Sequence, residues 1–264
     1  MHKNDWASAG ATNIGTVRKV NEDNFLDASA VGMWCVADGM GGHAKGDLAS
    51  QMIVDYLGTL NRPELYPLSA EQIKEQLHAV NMRLLEISET ESQGRLIGST
   101  VVVLIFDQYY AHCIWAGDSR IYRLRNNELQ QLTRDHSQVE EMVQAGLLAP
   151  EKAESHPASH VVTRAVGAHY RLEVDLLSFP LQENDVFMLC SDGLNKVVSS
   201  EKIAELLNVG PLNNTPETLI NMALEHQALD NITVVTVCKQ SKKNTEYPLI
   251  SNVHLDETLP VQKN

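Results

Sequence analysis

The sequence predicts an α+β fold in which mainly antiparallel sheet layers are covered by helices. Three observations predict it. Short apolar runs rich in β-branched and aromatic residues recur along the chain. Some follow one another so closely that only antiparallel hairpins can join them. Helical patterns lie in pairs between the runs, without the regular β-α-β alternation of a doubly wound parallel sheet.

In chain order, the first strand covers residues 32–37. A helix follows, because Leu48, Met52, Tyr56 and Leu60 repeat every four residues. A second helix follows, because Ile73, Leu77, Val80, Leu84 and Ile87 repeat by fours and threes. Ser69, with Gln72 three residues later, gives that helix a reciprocal N-terminal cap. Strands at 100–106 and 110–116 are joined by Asp107-Gln108 as a hairpin, and a strand at 120–124 turns back at Asn126-Asn127. Residues 137–146 read as a short helix, and 147–160, polar and proline-containing, as a surface excursion. Strands at 185–189 and 232–238 enclose helices at 200–207 and 217–228. The latter is opened by Thr215-Pro216, where proline forfeits no helical hydrogen bond. From about Lys239 the pattern dissolves, so 1–240 read as one domain and 241–264 as a C-terminal tail.

With 264 residues and 43% apolar content, the chain buries a sizeable core and is not a disordered protein. Its 34 acidic and 21 basic side chains leave a formal net charge of -13, which repels phosphate backbones and anionic lipid. Nucleic-acid and membrane-surface roles are thereby disfavoured. The N-terminus lacks an apolar signal region and no run approaches ~20 apolar residues, so a cytoplasmic protein without membrane insertion is expected. Cys35, Cys113, Cys190 and Cys238 form no C-x-x-C pair and sit in strand-like runs, where they read as buried thiols.

The placement of carboxylates is more informative than their number. Asp38 directly follows the strand at 32–37, Asp118 follows Ala116-Gly117, Asp192 follows Leu189-Cys-Ser191, and Asp230 precedes the strand beginning at Ile232. Any one of them is an ordinary turn former. Gathered at one sheet edge, they would repel one another and take up protons unless divalent cations neutralised them. Ligands that are all oxygen favour Mg²⁺ or Mn²⁺. Two such ions ~3.5–4 Å apart acidify water and clamp phosphorus during in-line attack. Arg18, three residues before Asn21-Glu22-Asp23, is a candidate to grip two phosphoryl oxygens.

Eight ordered segments carry a family resemblance. They are Gly15-Thr-Val-Arg18-Lys-Val-Asn21-Glu22-Asp23, Val36-Ala-Asp38-Gly39-Met-Gly-Gly-His43, Gly98-Ser-Thr100, Ala116-Gly-Asp118-Ser-Arg120, Leu132-Thr-Arg-Asp135-His136-Ser, Val162-Thr-Arg164-Ala-Val-Gly167, Ser191-Asp192-Gly193 and Asp230-Asn231-Ile-Thr. Over roughly residues 10 to 238 the chain resembles the PPM or type 2C metal-dependent protein phosphatases, in their compact bacterial branch. The resemblance implies a four-layer α/β/β/α sandwich of two mainly antiparallel sheets flanked by helix pairs. It implies that Asp38 bridges two Mn²⁺ or Mg²⁺ ions, with the Gly39 carbonyl on one and Asp192 and Asp230 on the other. Glu22 would act through metal-bound water, Arg18 would bind the substrate phosphate, and Asp118 with Asp192 matches a third, weaker ion site. Residues 137–160 fall where the family carries a mobile flap.

The expected activity is hydrolysis of phosphoserine and phosphothreonine in proteins by direct attack of a metal-activated water, by a monomer opposing a bacterial Ser/Thr kinase. The alternatives are a phosphatase of phosphotyrosine or of a small metabolite, a phosphoprotein-binding pseudophosphatase, and a regulator phosphatase of the partner-switching kind. The complete set Arg18, Glu22, Asp38, Asp192 and Asp230 argues against a pseudoenzyme. Met40 stands where eukaryotic relatives place a histidine and has no proton to donate. His43 reads as structural rather than catalytic. Pro157 disturbs any helical face shared by His156 and His160, so a histidine-pair metal site is not expected. Ala44 and Gly46 flank Lys45 where a nucleotide-binding loop needs Gly and Ser or Thr, and Ser191 lacks a G-x-S-x-G setting. No cysteine has an arginine six residues later, so covalent catalysis is disfavoured.

Overall fold

The computed structural model describes residues 6–41, 45–91, 94–153, 155–209 and 212–239. Two sheets organise them. The first has the order β1 (Trp6–Asn13), β11 (Ile232–Lys239), β10 (Val186–Cys190), β7 (Arg120–Arg125), β8 (Glu128–Gln131). The second runs β2 (Asp23–Ala28), β3 (Met33–Gly41), β5 (Val101–Phe106), β6 (Tyr110–Ala116), β9 (Asp175–Pro180), with β4 (Ile97–Ser99) on the far end of β3. Each recorded pairing of these strands is antiparallel.

Strand periodicity builds the layers. On β3, Met33, Cys35 and Ala37 enter a core shared with α1 (Gly46–Gly58) and α2 (Ala70–Glu91), while Trp34 and Val36 point into a core shared with Phe187 and Val235 of the other sheet. A third core packs α4 (Asp192–Asn195), α5 (Ser200–Val209) and α6 (Thr215–Glu225) on the first sheet. The result is the α/β/β/α order that the family resemblance implies. Both expected hairpins form: Asp107 Oδ1 accepts from the N–H groups of Tyr109 and Tyr110, and Asn126 and Asn127 have φ of 52° and 64° between β7 and β8. The reciprocal cap also forms, with Ser69 N–H donating to Gln72 Oε1 at 2.8 Å and Gln72 N–H to Ser69 Oγ at 3.2 Å.

Some expectations are corrected. The most buried face of α1 is Ala49, Ile53 and Leu57; of the predicted stripe, Met52 and Tyr56 pack against its edge and Leu60 is buried, while Leu48 is exposed. At the start of α1 a Cβ on Gly46 would meet the Glu22 carboxylate and the backbone of Gly39, so this close approach requires glycine. The strand read at 32–37 continues through Asp38 to Gly41 by exchanging β5 for β4 as its partner. Asp38 therefore lies within the strand. Cys35, Cys113 and Cys190 are buried as expected, but Cys238 at the end of β11 is partly exposed. α3 (Gln138–Gln144) is shorter than the 137–146 expected, and α6 covers 215–225 instead of 217–228. His43 and the tail 241–264 lie outside the described residues.

Candidate active site and metal centre

Antiparallel pairing carries the acids to one edge. Asp23, at the start of β2, stands opposite Asp38. Cys190, two residues before Asp192, pairs with Arg120, two residues after Asp118, and with Val234 near the start of β11, just beyond Asp230. Chain ends of two sheets thus converge from positions up to about two hundred residues apart in sequence.

The backbone around Asp38 is fixed on both sides. Its carbonyl accepts from Thr100 N–H at 2.8 Å and from Ser99 Oγ at 2.9 Å. Gly39 N–H donates to the Glu22 carbonyl at 3.0 Å. A Cβ on Gly39 would lie 2.0 Å from the Gly46 carbonyl oxygen, so only glycine admits this approach of β3, α1 and the Glu22 loop. Glu22 itself accepts from Gly46 N–H at 3.1 Å, at the start of α1.

The electrostatics are those of a crowded anionic site. Burial holds the Asp38 carboxyl well above its ordinary range, and the charges of Asp23, Asp192, Asp118 and Asp230 add to the shift. Burial likewise pushes Asp23 and Asp118 up to about 7, each with Asp192 adding to the effect, and raises Glu22. Two acids are balanced by cations of the chain itself. Arg18 Nη2 donates to Asp230 Oδ2 at 2.9 Å, and Lys196 Nζ pairs with Asp192 Oδ2 one helical turn away.

Asp23, Asn231 and Lys196 are functional neighbours that sequence reasoning did not single out. Asp23 Oδ2 accepts from Ser191 Oγ at 2.7 Å and Thr233 Oγ1 at 2.8 Å, joining the two sheets beneath the acids. Asn231 Oδ1 accepts from Glu22 N–H at 2.8 Å, while its Nδ2 donates to the carbonyls of Ile14 and Val20. It therefore ties the loop bearing Arg18 and Glu22 to Asp230. Asp23 was visible beside Glu22 in the Asn21-Glu22-Asp23 segment and Asn231 beside Asp230 in the Asp230-Asn231-Ile-Thr segment; Lys196 carries no signal apart from its neighbours.

The donor set fits divalent ions. Asp23 Oδ1 and Asp192 Oδ1 are buried without a hydrogen-bond partner, a costly arrangement that a hard cation would relieve. Among the described residues, no three His, Cys, Asp or Glu side chains form a ready-made cage. Two of the acids are paired with cations instead, Asp230 with Arg18 and Asp192 with Lys196. Beside the acids lies a cavity of about 330 Å³, lined by Asp118, Asp192 and Lys196, by Ser137 and Glu140 at the start of α3, and by Ser159 of the excursion. Met40 occupies β3 two residues beyond Asp38.

Comparisons with known proteins show the family and the fold. The family described as protein phosphatase 2C matches residues 14–227. The serine/threonine phosphatase stp of Listeria welshimeri is 36% identical over 234 residues, covering 86% of this chain and 93% of that protein. Among solved structures, PppA, described as a key regulatory component of T6SS in Pseudomonas aeruginosa, superposes with a TM-score of 0.81 at 39% identity, covering 88% of this chain and 97% of that one. The catalytic domain of the serine/threonine phosphatase PstP in complex with two manganese ions gives a TM-score of 0.80 at 32% identity, with the same coverages of 88% and 97%.

Proposed function

Because this chain belongs to the protein phosphatase 2C family and is a metal-dependent serine/threonine protein phosphatase, we propose that its reaction is run from the acidic edge around Asp38. The observation that carries this reading is the buried carboxylate oxygens Asp23 Oδ1 and Asp192 Oδ1, which have no hydrogen-bond partner, with Asp23 paired opposite Asp38 across the β2–β3 ladder. Asp38, Asp192, Asp230 and the Gly39 carbonyl would hold two divalent ions, with Glu22 acting through water; the manganese in PstP favours Mn²⁺. Bound ions supply Lewis acidity to the phosphoryl oxygens and acidify water for direct attack.

The remaining work belongs to the side chains. Arg18, held against Asp230 and half-exposed, is within reach of solvent and turns its guanidinium to the phosphoryl dianion when substrate arrives. Asn231 keeps that loop in register with Asp230. Gly46 N–H orients the Glu22 carboxylate. Met40 offers no proton, so protonation of the leaving oxygen falls to another group. The segment matched to the family's flap contributes Ser137, Glu140 and Ser159 to the cavity beside Asp118 and serves substrate selection. The proposal extends to phosphoprotein substrates of a Ser/Thr kinase pathway, acted on by a cytoplasmic monomer. No helix among the described residues is long and apolar enough to cross a membrane.

The test is hydrolysis of an aryl phosphate and of phosphothreonine and phosphotyrosine peptides with Mn²⁺, with Mg²⁺ and with a chelator. Turnover that needs the ion and favours phosphothreonine is expected. Equal turnover after chelation overturns the metal mechanism, and preference for phosphotyrosine overturns the substrate class.

A further inference from the structure

Asp118 and Asp192 are the pair that the family resemblance assigns to a third ion, and the two acids do line one cavity. A cation of the chain already stands there. Lys196 lines the same cavity and its Nζ pairs with Asp192 Oδ2. Asp192 opens α4 and Lys196 ends it four residues later, so both side chains lie on the same helical face and the pair is set by local geometry. Its stability does not depend on a distant loop. The pairing also divides the Asp192 carboxylate: Oδ2 is taken by the ammonium, while Oδ1 is buried without a partner and remains for the two-ion centre.

The charge environment agrees with this arrangement. Lys196 shares one cavity with both acids, so its ammonium stands where their negative charge accumulates. A divalent ion between Asp118 and Asp192 would have to displace an attached cation whose local concentration is set by one helical turn. It would also bring a double positive charge against the displaced ammonium.

We propose that the Lys196 ammonium is the resident cation of the Asp118–Asp192 pair and excludes a third divalent ion, so that this phosphatase loads two ions and no more. The inference rests on the two-ion reading of the Asp38 centre. It is tested by counting Mn²⁺ bound per chain, by native mass spectrometry and by equilibrium dialysis at saturating Mn²⁺. The protein as it stands should hold two ions. Lys196→Met, which keeps the apolar stem without the charge, and Lys196→Ala should each hold three, the third weaker. Lys196→Arg should return the count to two, and Asp118→Asn in the Lys196→Met background should abolish the third. Three ions in the unaltered protein, or two in both neutral variants with unchanged circular dichroism, would overturn the role of Lys196. Fewer than two ions in the unaltered protein would overturn the two-ion reading and this inference with it.

Discussion

Asp38 concentrates the repulsion of four other acids, so its charge is the one whose removal has the most consequences. Asp38→Asn keeps the shape and the backbone bonds to Thr100 and Ser99, but removes the charge that would bridge two ions. Turnover should fall by at least roughly 100-fold, the scale of losing one electrostatic stabiliser. The chelated variant should melt no lower than the wild type, because a repelled buried charge has gone; a lower melting temperature would show that Asp38 is structural. Arg18→Ala should raise KM by roughly 10-fold or more, as expected for lost charge-assisted hydrogen bonds. Mn²⁺ affinity should be largely retained, and a collapse of that affinity would mean that Arg18 arranges the acids instead of gripping phosphate. Asp38, Asp118 and Asp192 were legible because aspartate beside glycine next to an apolar strand run leaves a local pattern, and Asp230 because it directly precedes such a run. The roles of Asn231 and Lys196 were not, since the Asn231–Glu22 contact spans 209 positions and the Lys196–Asp192 pair is an ordinary helical spacing.

Among the elements, those with their own chemical punctuation were legible: the α2 cap at Ser69 and Gln72, and the turns at Asp107 and Asn126-Asn127. β1 was not, because its residues Trp-Ala-Ser-Ala-Gly-Ala-Thr-Asn have little β-propensity; pairing along its whole length with β11 imposes the strand. β9 was missed for another reason: it alternates partly buried and exposed positions at a sheet edge. The turn from β10 into α4 is where element geometry governs the site most directly. A Cβ on Gly193 would lie 2.0 Å from the Asn231 carbonyl oxygen, which belongs to backbone leading into β11 and cannot yield cheaply. Gly193→Ala should therefore separate Asp192 from Asp230, lower Mn²⁺ affinity by roughly 10-fold and destabilise by about 1–3 kcal/mol, the usual cost of overpacking. Metal titration and a thermal melt check this together. Unchanged affinity would show that α4 tolerates displacement from β11.

On the scale of the whole molecule, three apolar cores build both sheets and their helices without using the acidic edge. The chain should thus remain folded when chelated, with the ions acting as ligands of the native state. At 100-fold excess over Kd, an ion adds about 2.7 kcal/mol, or roughly 5–10 °C for a chain of this size. That gain depends on pH with a definite sign. Asp23 and Asp118, with ordinary values of 3.8, are pushed up to about 7 in the folded chain. The stability they contribute to the metal-free protein is therefore complete below the ordinary carboxylate range and is lost as pH rises through about 7. Ion binding needs the carboxylates deprotonated, so it reverses the trend. His136 titrates in the opposite sense, since burial lowers its value and protonation at Nδ1 would cost the bond from Gly117 N–H. Its contribution is common to loaded and chelated protein and cancels in their difference. The Mn²⁺-induced rise in melting temperature should accordingly grow from about pH 5.5 to about pH 7.5. Asp23→Asn should flatten that growth. A gain independent of pH in the wild type would mean that the ions bind away from the buried acids, and that the excess behind the net charge of -13 is surface charge alone.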